Sequence, residues 1–222
     1  MSSRISFNRQ ERIFNPEEQN TNIIIVGAGS TGSFTALNLA KMGMNNIKVI
    51  DFDIVEKHNI PNQFFRIKDI GKPKVEALSE IIKEFTDIEI ETENIEIKED
   101  YEFDIGLNSL IILCVDSIEV RKLIYEKIKD FPIKLLDTRF GGEGFSVHNI
   151  DLGNENHKER FEKSLEGAIK ETSCGEKSII YTILNLASEV CSIEKKIDKE
   201  EESVNILRRE MKNYKFISGV WE

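Results

Sequence analysis

No apolar run among the 222 residues comes near the 18 or more that a membrane span needs. The first residues, MSSRISFNRQERIF, contain no apolar signal core, so the cytoplasm is the expected compartment. Cysteine is scarce. Cys114, Cys174 and Cys191 are odd in number and show no CxxC spacing. That suits a reducing compartment and excludes a four-cysteine zinc site built within this chain. Basic charge is in deficit: 30 Lys and Arg against 40 Asp and Glu leave a formal net charge of −10. A general nucleic-acid binder needs a basic face, so that class is excluded, although a small cationic pocket is not. Internal repeats and low-complexity linkers are absent, and residues 1–222 are expected to form one domain.

What is present centres on residues 22–53. Ile23-Ile24-Ile25-Val26 is short, β-branched and stopped by a glycine, which reads as a buried strand. Gly27-Ala28-Gly29-Ser30-Thr31-Gly32 follows as a GxGxxG loop, then Phe34, Leu37, Leu39 and Ala40 at roughly helical spacing. A second apolar run, Ile47 to Ile50, ends at Asp51, about 20 residues past the glycines, where a ribose-binding acid belongs. The glycines have separate expected roles. Gly27 permits the tight turn, Gly29 lets the backbone approach phosphate, and Gly32 lets the helix pack closely. The N–H groups at the helix start then favour an anion.

The remainder alternates between strand and helix patterns. Residues 1–21 form a polar arm, with Asn15 capping Pro16-Glu17-Glu18. Within it, Asn8-Arg9-Gln10 is either solvated or a source of an arginine for a nucleotide site. Residues 52–66 are rich in polar side chains and lie beyond a strand's carboxyl end. Val75, Leu78, Ile81, Ile82 and Phe85 mark a core-facing helix stripe. Lys74 falls in its first turn, where the helix dipole disfavours a cation unless an anion is near. Residues 88–92, 109–115, 133–136, 143–150 and 215–221 read as strands, the fourth of these antiparallel. Asp116 ends the 109–115 strand, either as a helix cap or as a metal or ribose-phosphate contact. Residues 194–212 are almost all charged and read as a solvated helix or disordered loop. The three histidines, His58, His148 and His157, lack partner spacing and are expected at the surface or in satisfied polar roles. The fold class is α/β: a Rossmann-like, mostly parallel sheet flanked by helices, with antiparallel strands toward the C-terminus.

Five segments in this order, FNRQERIF, VGAGSTGS, VIDFDIVEKHNIPNQ, GKPKVEAL and CVDS, resemble the ThiF, MoeB and ubiquitin-activating enzyme family over residues 7 to 193. The resemblance implies a single ThiF-like domain that uses ATP with magnesium. It would adenylate the C-terminal carboxylate of a small ubiquitin-like or sulfur-carrier protein. It further implies that the loop residues Ser30 and Thr31 line the nucleotide and that Asp51 holds the ribose, with Asp53 and Gln63 in the same signature. Asn59 and Lys74 would contact phosphates, Asp116 would hold magnesium, and Arg9 would reach the partner's site in a homodimer.

Three departures stand out. Asn62 occupies the place of the family's usual arginine, which Arg66 is close enough in sequence to replace. The paired CxxC motif is missing, as are the large cysteine and ubiquitin-fold domains of eukaryotic members. The chain therefore resembles minimal stand-alone bacterial or phage ThiF-like proteins, which share stretches like DTRFGGE and SCGEKSIIYT. Cys174, before an apolar helix, is either a thioester-forming nucleophile or a small cap-region residue. A catalytically weak partner subunit or scaffold is the alternative function. A nicotinamide-dependent oxidoreductase rests on GxGxxG and Asp51 alone.

Overall fold

The computed structural model describes residues 5–168 and 178–221. Strands β1 (Asn22–Val26), β2 (Ile47–Ile50), β3 (Glu91–Glu93), β4 (Ser109–Leu113), β5 (Lys134–Gly141), β6 (Gly144–Asp151), β7 (Ile206–Glu210) and β8 (Lys215–Gly219) form one sheet. Its order is β3-β2-β1-β4-β5-β6-β7-β8. The first five are parallel and β6 to β8 run antiparallel. This is the α/β class read from the sequence.

Five helices flank it among the described residues: α1 (Ser30–Met42), α2 (Lys74–Thr86), α3 (Ile118–Ile128), α4 (Glu155–Ala168) and α5 (Ile180–Asp198). Side-chain alternation along β1 explains the layers. Ile23 and Ile25 pack into the core shared by α1, α2 and α5. Ile24 and Val26 face the core of α3 and α4 with Ile111, Leu113 and Phe161. Both faces are covered, so the strands are apolar throughout. No described helix is long and apolar enough to cross a membrane.

The structure departs from the sequence reading in several places. Residues 194–198 finish α5, and residues 206–210 form β7 between β6 and β8. Leu207 is buried there, but its apolar neighbour Ile206 is adjacent rather than two away and Arg208, Arg209 and Glu210 follow, so no period-two signal stands out. The strand expected at 88–92 is short and lies at 91–93. Phe85, read as core, is half exposed beside Phe64 with Lys41 over its ring. Cys174 lies outside the described residues.

Candidate functional site

The sheet order reverses between β1 and β4, because the chain leaves β1 toward β2 on one side and returns on the other. Such a switch point leaves a crevice beyond the strand ends. The ends are tightly laced: Cys114 N–H donates to Val26 O and Gly27 N–H to Ile50 O, each at 2.8 Å. Gly27 takes φ +98°, and a Cβ there would stand 2.7 Å from the Cys114 carbonyl oxygen. At Gly32 a Cβ would fall 1.8 Å from the Gly27 oxygen, so only glycine lets α1 start this close to β1. Gly29 differs. Its φ is −75°, and a Cβ would meet nothing nearer than Gln63 Nε2 at 3.9 Å. The protein itself does not require glycine there; the open space faces the crevice.

That crevice is a cavity of about 380 Å³ lined by Gly29, Ser30, Asp51, Asp53, Lys74 and Asp116, among others. Asp51 follows directly on β2 and accepts N–H bonds from Ala28 at 2.6 Å and Asp53 at 2.7 Å. Burial raises its pKa, opposed by nearby Lys74 and by those two backbone donors. It thus ties the glycine loop to β2, with lone pairs left for a ligand hydroxyl.

Lys74 is held by its backbone as well as its charge. Its N–H donates to Asp53 O at 2.8 Å, and Val55 N–H to Lys72 O at 2.8 Å, closing the segment between β2 and α2. Its Nζ meets Asp53 Oδ2 at 2.6 Å. The nearby anion expected of a first-turn lysine is therefore Asp53 in the free protein.

Asp116 lies on the segment joining β4 to α3. Ser117, not Asp116, caps α3: its Oγ accepts from Val120 N–H at 3.2 Å. Asp116 is exposed and has no hydrogen bond or ion pair among the described residues. Its position is set from behind. Arg121 donates to the Val115 carbonyl and pairs with buried Asp137, which also accepts from Arg139.

Other expected site residues are elsewhere. Asn59 is buried, but its Oδ1 accepts the Glu56 N–H at 2.7 Å and it does not line the cavity. Arg66 is committed to Asp69, Glu80 and Glu84, and likewise does not line the cavity. Arg9 is exposed on an arm packed at the far end of α1. Gln63 does line the cavity, and its buried Oε1 lacks a partner. Thr31 is buried in α1, its Oγ1 also unpartnered. Cys114, within the strand expected at 109–115, lies one position past β4 in the cavity wall, its thiol pushed up to about 12 by burial.

A second cavity of about 580 Å³, not expected from the sequence, lies over the antiparallel end of the sheet. It shares Val115, Asp116 and Phe140 with the first, so the two join at Asp116. His148 lines it and is buried with Nδ1 unpartnered, which corrects the surface or satisfied role expected for this histidine. No local pattern marks it: Ser146 and His148 on β6 and Arg208 on β7 come together only through the strand register.

The model of the ThiF family matches residues 4–208, and the chain belongs to that family. It is 42% identical over 106 residues to the NEDD8-activating enzyme E1 catalytic subunit of Arabidopsis thaliana, covering 46% of this chain and 23% of that protein. With the Caenorhabditis elegans subunit of the same name it is 32% identical over 142 residues, 63% of this chain and 33% of the relative. The chain thus spans a third or less of these relatives. Among solved structures, Escherichia coli MccB with ATP superposes with a TM-score of 0.75 at 16% identity, covering 92% of this chain and 65% of that one. PaaA gives 0.76 at 20% identity, covering 96% and 72%. These likenesses show the fold.

Proposed function

We propose that this chain binds ATP and adenylates the C-terminal carboxylate of a small ubiquitin-like or sulfur-carrier protein. One observation carries the reading: the glycine loop, Lys74 and partner-free Asp116 surround a cavity that opens at Asp116 into a second one large enough for a polypeptide tail. Family membership, relatives named as NEDD8-activating subunits, and the solved MccB complex with ATP support it.

A carboxylate oxygen attacks the α-phosphorus, the bond to the β-phosphate oxygen breaks, and pyrophosphate leaves. No base is needed, because the carboxylate is already ionised. The obstacle is the meeting of two anions, which preorganised donors and cations offset. The N–H groups opening α1 and the Lys74 ammonium supply that compensation, and Asp51 accepts ribose hydroxyls. A magnesium ion would neutralise phosphate charge. Asp116 would hold that ion, being a carboxylate at the cavity without a hydrogen bond or ion pair among the described residues. One carboxylate with phosphates and water is ordinary magnesium coordination.

A scaffold subunit is the second reading. Asn62 stands in the family arginine's place, and Arg66 is consumed by carboxylates. Exchange of labelled pyrophosphate into ATP, measured with candidate carriers ending in a free glycine, separates the two. Carrier-dependent exchange supports the enzyme. ATP and carrier binding without exchange would establish the scaffold.

A further inference from the structure

The second cavity has a charge pattern of its own. Paired across β5 to β8 in register are Arg139, Ser146, Arg208 and Ile217, a row over one face of the antiparallel strands. All four line the cavity. Arg139 is already committed: it donates to Asp137 at 2.6 Å and to Ser164 O at 3.1 Å. Lys215, also in the lining, has Glu210 only at 4.0 Å, with both side chains largely exposed. Arg208 is exposed and has no carboxylate partner among the described residues. Below it, His148 is 2% exposed and Nδ1 has no partner. Burial, chiefly, holds that ring neutral, and Arg139, Arg208 and Arg121 push the same way.

His148 Nε2 meets Ser146 Oγ at 3.4 Å, so Nδ1 alone is left open, and a chain of net charge −10 that leaves Arg208 unpaired over that open ring nitrogen is built to receive an anion at that spot. Resting on the adenylation reading, we propose that Arg208 selects a substrate tail carrying an acidic side chain near its reactive end. Neighbouring strands lie about 4.8 Å apart, so Arg208 on β7 is roughly 10 Å from the Phe140 boundary on β5. An extended chain advances about 3.3 Å per residue, which puts the acidic residue about three to five positions before the terminal carboxylate. A polypeptide fits better than a free small anion, because the row leads directly to the nucleotide cavity through Val115, Asp116 and Phe140. His148 Nδ1 would gain its missing partner from the bound side chain or backbone.

The probes are fluorescein-labelled octapeptides ending in Gly-Gly, with Glu, Gln or Lys at the fourth residue from the end. Fluorescence anisotropy with the full chain and ATP reads affinity, and pyrophosphate exchange reads the reaction separately. The Glu peptide should bind about 10-fold tighter than the Gln peptide, as a charge-assisted contact implies. Arg208→Gln should collapse that ratio to about 1–2, and Arg208→Glu should turn the preference toward the Lys peptide. Thermal melting checks that both variants are folded, which an exposed, unpaired arginine favours. Equal binding of Glu and Gln peptides, no measurable binding of either, or an unchanged ratio in Arg208→Gln overturns the proposal. Binding with this preference but without exchange upholds the charge selection and refutes adenylation of the peptide; exchange without preference does the reverse.

Discussion

Lys74 Nζ lies 2.6 Å from Asp53 Oδ2, with the lysine side chain 7% exposed and the aspartate 48%. The cation is hidden while its anion faces solvent and the cavity. A lysine this buried must be paired, since an isolated charge away from water costs several kcal/mol. Asp53 therefore fixes the position of Lys74 Nζ until a phosphate arrives to share it.

Two cations separate function from folding. Lys74→Ala should lower pyrophosphate exchange by about 100-fold or more, the usual loss for one well-placed electrostatic stabiliser. Arg66→Ala should instead act on stability. It strips the guanidinium from Asp69, which is fully buried, and breaking such a pair costs about 3 kcal/mol. Nucleotide titration and chemical denaturation of both variants check this. A folded Arg66→Ala protein that cannot bind ATP would restore Arg66 as a ligand contact.

Much of this was legible in the sequence, and the limits were physical. The glycine loop, Asp51, Lys74 and Asp116 come from one strand-loop-helix grammar, so local pattern located them. Asn59 and Arg66 do not line the cavity, because their side chains serve nearby backbone and carboxylates, contacts that spacing does not reveal. Whether Ser117 or Asp116 caps α3 depends on which oxygen reaches Val120 N–H, a choice both residue types permit. The cationic row across β5 to β8 needs the register of four strands, which no local window contains.

The glycines of the loop should divide in the same way. Gly27→Ala imposes a strained φ and a clash with Cys114 backbone, and should cost about 2 kcal/mol or more of stability. Gly29→Ala has an ordinary φ and open space, so its melting temperature should stay near that of the wild type. Its added methyl instead occupies the place where a phosphate would approach, and ATP affinity should fall at least about 10-fold. ATP titration alongside thermal melting decides; wild-type affinity in Gly29→Ala would put the phosphates elsewhere.

His148 should make the protein acid-sensitive. Its pKa is lowered from 6.5 to about 4, mainly by burial. Between those values the unfolded chain binds a proton that the folded chain refuses. The stabilising difference is complete above pH 6.5 and is lost as pH falls toward about 4. A shift of this size corresponds to about 3 kcal/mol. Urea unfolding at pH 4, 5, 6 and 7 should show this slope in the wild type and a shallower one in His148→Phe. Identical slopes would mean that other groups carry the acid response.

Glu194 should work in the opposite direction. It is fully buried in α5, both carboxylate oxygens lack partners, and burial raises its pKa to about 9, helped by Asp198. The folded chain therefore keeps a proton that the unfolded chain has lost, and stability drains as pH climbs from 4.5 toward about 9. Glu194→Met fills similar space without a charge to bury. It should stabilise the protein by about 2–3 kcal/mol at pH 8 and by much less at pH 5. Denaturation at the two pH values tests the sign; equal effects at both would remove ionisation as the cause.

Arg9 gives the sharpest test of assembly. Its arm is fixed at the C-terminal end of α1: Gln10 Nε2 donates to Met42 O at 2.5 Å, and Phe7 and Pro16 press on Gly43. The glycine loop lies at the other end of the same 13-residue helix, roughly 20 Å away at 1.5 Å per residue. An arginine side chain does not bridge that distance. If Arg9 serves a nucleotide, the nucleotide must belong to another copy of the chain, and a two-fold pair is the simplest closed arrangement. Arg9→Ala and Lys74→Ala should each be nearly inactive alone. Mixed after subunit exchange, they should recover activity, because half of the chains then pair into heterodimers with one site intact in both residues. Recovery should approach a quarter of the wild-type level for free random pairing. Sedimentation equilibrium fixes the oligomeric state independently. A monomer, or a dimer whose mixed variants stay inactive, removes Arg9 from the site and leaves its guanidinium a solvated surface group.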